Sequence, residues 1–298
     1  MQNLYTTAEP LGTIPLAEVS GLALGRDDRG APALLAIGDR AASVAVADLA
    51  DGVGDLVWRT LDLREAEGSR IPHRDPQLEA LAADGARGVL IVQEWPNRAE
   101  FVDAATRRVR ARIALEVDET APQQLRRSWR DASCSHAEGV VLLRDGHLLV
   151  VKEKDPVALL EFGPAGAVPQ GFGPDRWLGL GEQWQIGEGD IALTALAAWE
   201  PTASVADSCP DLSDAAIAPN GDLVLVSDQG CAILVIHPAP PTPEPWAGRF
   251  DTVASWRIEG LEGKPEGIVV LPEGDILIAC DRKKVKGNLY LVGREIWQ

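Results

Sequence analysis

The chain has 298 residues, 46% of them hydrophobic and 24% charged, which is enough to bury a sizeable core. Its formal net charge of −17, from 45 acidic against 28 basic residues, repels phosphate backbones and anionic bilayers, so neither nucleic acid nor membrane is expected as a partner. The opening MQNLYTTAEPLG has no basic or apolar signal region, and Cys134, Cys209, Cys231 and Cys280 form no CxxC pair, which together predict a cytoplasmic protein with free thiols.

In chain order, the first element is the segment LYTTAEPLGTIPL, which reads as a strand without a hairpin partner of its own. Five similar hairpins follow. They are SGLALGRDDRGAPALLAIGD from Ser20, EALAADGARGVLIVQE from Glu79, EGVVLLRDGHLLVVKE from Glu138, SDAAIAPNGDLVLVSD from Ser213 and EGIVVLPEGDILIACD from Glu266. In the last four, the step from first residue to terminal acid is 15 residues; in the first it is 19. The turns RDG, PNG and PEG supply residues suited to positive φ. The flanking Val, Leu and Ile runs are those of strands buried on both faces.

A third strand follows each hairpin: ASVAVADL, AEFVDAA, ALLEFG, AILVIHP and NLYLVG. A fourth is legible as LVWRTLDL, RVRARIAL and VASWRIEG. Four antiparallel strands in repetition predict a propeller blade. The expected fold is therefore an all-β, five-bladed propeller in one domain over 1–298, its ring closed by the N-terminal strand, with six blades as the alternative. The interval from Ser213 back to Glu138 is the longest, and an insertion is expected near 182–210, helical in part at ALTALAAW. The proline-rich 238–246 stretch is expected as a surface loop.

In such a blade the first residue of the repeat and its terminal acid meet at one mouth of the channel. Eight carboxylates are thereby expected there: Asp39, Glu79, Glu94, Glu138, Glu153, Asp228, Glu266 and Asp281. Oxygen donors in that number suit Ca²⁺, which is therefore the expected cofactor. Arg40, Lys154 and Arg282 neighbour these acids as the alternative neutralisers and as ligand-binding groups, with Trp95, Trp129 and Arg130 expected to wall a small ligand. His136 and Glu138 are the candidate catalytic pair. A Cys134/His136/Cys209 zinc site is a weaker candidate, and no G-x-S-x-G, HExxH or P-loop is present.

The ordered set EVSGLAL with GDR, QLEALA with VQE, HAEGVVL with VKEKD, DLSDAAIAPNG with VSD, and KPEGIVV resembles the SdiA-regulated (YjiK-like) propeller family, and more distantly the phytase-like, esterase-like propellers. The resemblance covers nearly the whole chain. It implies a five-bladed ring with calcium in the channel mouth, at the eight acids named, and no established activity. Ala80 and Asp214 stand where the family pattern has glycine. Two functions are carried forward: a calcium-binding propeller that recognises a small ligand, and a metal-assisted hydrolase or lactonase, with an isomerase or cyclase using rim carboxylates as its variant. A protein–protein scaffold is the third reading.

Overall fold

The computed structural model describes residues 4–72 and 74–297. The sequence also places His73, in the loop before the second repeat, near the mouth; it lies outside the described residues. The N-terminal segment forms β1 (Leu4–Thr7) and β2 (Glu9–Gly12). The first repeat forms β3 (Val19–Arg26), β4 (Pro32–Gly38), β5 (Ala41–Asp48) and β6 (Trp58–Asp62). The second forms β7 (Leu78–Ala83), β8 (Gly88–Gln93), β9 (Arg98–Asp103) and β10 (Arg108–Glu116), followed by helix α1 (Gln123–Arg130). The third forms β11 (Ala137–Leu142), β12 (Leu148–Lys152), β13 (Ala158–Pro164) and β14 (Gly189–Pro201), followed by the single turn α2 (Ala203–Ala206). The fourth forms β15 (Asp214–Ile217), β16 (Leu223–Ser227), β17 (Ala232–Ile236), β18 (Gly248–Phe250) and β19 (Thr252–Glu259), and the fifth β20 (Lys264–Val270), β21 (Ile276–Asp281) and β22 (Leu289–Val292).

Strand pairing makes this a β-propeller. Each repeat is an antiparallel run of four strands, the fourth consisting of β15, β16, β17 and β19. The fifth run borrows its outermost strand, because β2 pairs antiparallel with β22. The N-terminal segment is in fact shared: β1 adds in parallel to the outer edge of β19 in the preceding run. The second and third runs are joined into one nine-stranded sheet by parallel pairing of β10 with β14. The innermost strands β3, β7, β11, β15 and β20 lie side by side in a closed circuit.

The apolar runs explain this packing. A strand buried on both faces alternates its side chains between two neighbouring sheets. Leu35 and Ile37 pack with Val89 and Ile91 of the second run, whereas Leu34 and Ala36 pack with Leu277 and Ala279 of the fifth. Equivalent clusters fill the other gaps, with Leu90 and Phe162, Leu149 and Leu234, and Val226 and Ile278 among their members. The core is thus a ring of five inter-sheet layers. Among the described residues no helix is long and apolar enough to cross a membrane.

One expectation is corrected. ALTALAAW is not helical: it lies in β14, where Leu193, Ala195 and Ala197 are buried and Thr194 and Leu196 less so. Its alanines favour helix locally, but pairing with β13 and β10 imposes a period of two. The extra chain of this interval falls earlier, as a strap over 165–188 between β13 and β14, with α2 following β14. The 238–246 stretch is a loop apart from a lone bridge at Ala239.

Candidate functional site

The repeat's first residue reaches the channel mouth through a defect in the strand. In four innermost strands the register slips by one residue between Val19 and Gly21, Leu78 and Ala80, Ala137 and Gly139, and Pro265 and Gly267. The residue left over is Ser20, Glu79, Glu138 or Glu266. A bulge of this kind keeps both flanking residues in the packed layers and re-aims the extra side chain. In the fourth run, Ser213 N–H donates to the Val226 carbonyl at 2.8 Å, the same carbonyl-bearing residue that pairs with Asp214.

The terminal acids arrive beside them at the ends of the second strands. Their backbone is fixed across the hairpin: Asp39 N–H donates to Glu18 O at 2.9 Å, Glu94 N–H to Gln77 O at 2.9 Å, and Glu153 N–H to His136 O at 3.3 Å. All eight carboxylates are half-buried, and they act on one another electrostatically at this end of the channel. Their electrostatics are those of crowding in a poorly solvated space. Burial, then Glu138, then Asp39, holds the Glu79 carboxyl far above its usual range. Burial, then Glu153 and Glu94, does the same for Glu138. Glu266 is pushed up to about 8, by burial first and Asp281 second. Burial also raises Asp39, Glu94, Asp228 and Asp281.

Cations reach only some of these groups. Lys154 Nζ lies 2.8 Å from Glu153 Oε1, and Arg40 Nε lies 2.6 Å from Glu18 and 3.6 Å from Asp39. Lys264 stands between Asp228 at 3.9 Å and Glu266 at 3.7 Å. Arg282 is turned away from Asp281, engaged with Glu262 and the Gly287 carbonyl, each at 3.0 Å. Among the described residues, no hydrogen bond or ion pair reaches the side chain of Glu79 or Glu138, the two deepest acids.

His136 is fully buried, held between Trp95 and Trp129 with ring centroids 5.6 and 5.7 Å away. Neither ring nitrogen has a hydrogen-bond partner of normal geometry; Nδ1 lies 3.9 Å from Glu94 Oε1. Burial first, then the Lys152 ammonium, lowers its proton affinity. Trp129 is itself buried, donating from Nε1 to Leu115 O at 3.0 Å, and with Trp95 and Arg130 it lines a hollow of about 480 Å³. Trp95 is exposed at the rim, and Arg130 is exposed beside Glu119 and the Val117 carbonyl. Cys209 is buried and Cys134 partly so.

Among the described residues, no three His, Cys, Asp or Glu side chains lie close enough together to hold a metal ion as they stand. The Cys134/His136/Cys209 set therefore does not form a zinc site. For a hard cation at the acids, donor chemistry and unbalanced charge fit, while a closed cage of carboxylates does not. A cation there would keep part of its water shell, as Ca²⁺ readily does.

Two features went unread in the sequence. The position two residues before each repeat start forms its own tier of the mouth: Glu18, Gln77, His136, Asp211 and Lys264. Lys264 stands two residues before its repeat start, as His136 and Asp211 do before theirs, and that shared offset is the signal the sequence offers. Asp214 is the other. Its carboxylate accepts from Ala215 N–H at 2.8 Å and Ile268 N–H at 2.9 Å, and the Leu22 N–H also reaches it. Gly139 stands against it, where a Cβ would come within 2.8 Å of the Asp214 Cα. A buried carboxylate thus spans the bore below the mouth, tying β15 to β20 and β3.

No family model and no curated protein matches the chain. Solved structures with which it shares similarity include a streptogramin B lyase, at 11% identity and a TM-score of 0.46, covering 96% of this chain and 97% of that one. The WD40 repeats of RRP9 match at 11% identity and a TM-score of 0.42, over 91% of this chain and 78% of theirs. A protein of unknown function from Bacteroides caccae matches at 18% identity and 0.39, over 83% of this chain; the chain spans 64% of that protein's length.

Proposed function

We propose that this protein is a five-bladed, calcium-binding propeller of the SdiA-regulated kind, which takes a small ligand at its acidic mouth. The observation that carries this reading is the pair Glu79 and Glu138: two neighbouring carboxyls, deep in the mouth, with no ion pair or hydrogen-bond donor of their own, Lys154 acting on Glu138 only from its pairing with Glu153. Such a pair is neutralised either by protons or by a bound cation. The bulges support the second, because they spend backbone regularity in three repeats to aim a glutamate at one spot.

In this reading Glu79, Glu138 and Glu266 supply the inner oxygen donors, with Asp39, Glu94, Glu153, Asp228 and Asp281 around them. The cation supplies a positive centre for an oxygen-bearing ligand. Trp95, Arg40 and Lys154 at the rim orient that ligand, and Lys264 limits the residual charge. A proton-holding carboxyl beside the cation also suits acid–base work on an ester or lactone.

The test is calorimetric titration of chelator-treated protein with Ca²⁺, read alongside thermal unfolding. One high-affinity site and a raised melting temperature are expected. Glu138→Gln should weaken binding at least tenfold while the variant still folds in chelator. Failure of Ca²⁺ to bind or to move the melting temperature of the natural chain overturns the metal reading. Turnover of lactones, aryl esters or phosphoesters by the loaded protein would add catalysis to binding.

A further inference from the structure

At the end of the channel opposite the acids, the same five innermost strands enclose a cavity of about 530 Å³. We infer that this cavity binds a neutral, hydrocarbon-rich small molecule, at a second site independent of the acidic mouth. Its size lies within the ordinary range of ligand pockets, roughly 300–1,000 Å³.

The lining argues the class of ligand. Leu24, Leu81, Leu142, Ile217 and Val270 face it from the five strands, and no charged side chain is among its walls. Several polar groups around it are already paired. Leu178 N–H donates to Leu142 O at 3.1 Å, Trp177 Nε1 to Gly221 O at 2.9 Å, Ala218 N–H to Asp222 O at 2.9 Å, and Leu271 N–H to Asp275 O at 2.8 Å. Among the lining side chains only Asn220, engaged with Asp222, and the paired Trp177 Nε1 carry polar groups, so a sugar or charged ligand finds few side-chain partners there, a penalty that a hydrocarbon does not incur.

The site has walls of its own making. The strap over 165–188 crosses this face and contributes Leu178 and Leu180 to the cavity. It is pinned on both sides of that crossing. Glu161, fully buried and 2.8 Å from His147 Nδ1, accepts from Gln170 N–H at 2.8 Å and Gly171 N–H at 3.0 Å. Beyond the crossing, Trp184 N–H donates to Asp84 Oδ2 and its Nε1 to His147 O, each at 3.1 Å. Between the pins, Leu180 remains exposed at the rim. A neighbouring hollow of about 320 Å³ shares Leu24, Leu178 and Leu180 as walls but is also lined by Arg26, Asp84 and Glu273, so the hydrocarbon site is the larger cavity. Asp214 lies between this cavity and the acids, which separates the two ends chemically.

The experiment uses the intact chain and the neutral fluorophore N-phenyl-1-naphthylamine. Saturable fluorescence enhancement with one site per chain is expected, displaced by decanol and unaffected by a leucine-rich hexapeptide. Ala216→Phe, which fills the cavity, should weaken the probe at least tenfold. Leu180→Asp, at the exposed rim, serves as the second variant should Ala216→Phe fail to fold, and should weaken it severalfold. Glu138→Gln and chelator should leave probe binding unchanged, which keeps this site distinct from the proposed calcium mouth. No saturable binding, displacement by the hexapeptide but not decanol, or indifference to both cavity variants overturns the inference.

Discussion

Glu266 shows what a single carboxyl contributes here. Its ordinary value of 4.5 rises to about 8 in the folded chain, chiefly by burial and then by Asp281. The native state therefore holds this proton more tightly than the unfolded one, and stability must fall as pH rises across the window from 4.5 to 8. Glu79 and Glu138 are shifted in the same direction and add to the slope. In chelator, the melting temperature should decline across that window, and Glu266→Gln should flatten the decline. Added Ca²⁺ should raise the melting temperature most at the alkaline end, where the carboxylates are ionised. A melting temperature that climbs with pH in chelator would contradict this account.

Asp214 acts at the scale of the element, because its carboxylate stands in for strand-to-strand bonds that β15, β20 and β3 cannot make around a bore. Asp214→Gly removes the acceptor of the Ile268 N–H and leaves that donor buried and unpaired, at a cost of about 1–3 kcal/mol. Asp214→Asn keeps one carbonyl acceptor and should lose less; urea unfolding of the two variants checks the order. The innermost strands also show how little of an element's detail was legible. The hairpins, their turns and their third strands follow from apolar runs and from residues such as Asp145 and Gly146, both of which adopt positive φ. The bulges at Glu79, Glu138 and Glu266 do not, because a bulge is a mismatch between two strands and neither strand shows it alone. ALTALAAW was misread for the same reason: its period of two is imposed by the neighbours it pairs with.

At the scale of the whole molecule the ring is held shut by its ends. Beyond the pairing of β2 with β22, buried Asn288 clasps the N-terminal segment. Its Oδ1 accepts from Ile14 N–H at 2.7 Å, and its Nδ2 donates to Ile14 O at 3.2 Å and Leu16 O at 3.1 Å. Asn288→Ala removes all three bonds and leaves the Ile14 N–H without its partner, so a loss of about 3 kcal/mol is expected by urea unfolding. Hydrogen exchange should localise the loosening to β1, β2 and the edge of β22. A uniform change in protection across the chain would instead assign Asn288 to global stability rather than to this clasp.

The amino-acid sequence alone determined the repeat, most of its strands and the places of the eight acids along it, because apolar runs and 15-residue spacing are properties of the chain read along itself. It also indicated closure by the N-terminus, since the last repeat lacked an outer strand. Tertiary structure decided what the acids face and what neutralises them. Lys264 serves two acids from 36 residues beyond one and two residues before the other, whereas Arg282, adjacent to Asp281, turns away to Glu262. Adjacency in sequence does not set the direction of a side chain; the bulge and the competing partner do. The same holds for the far end of the channel, where apolar residues from five separate strands meet a strap that no repeat foretold.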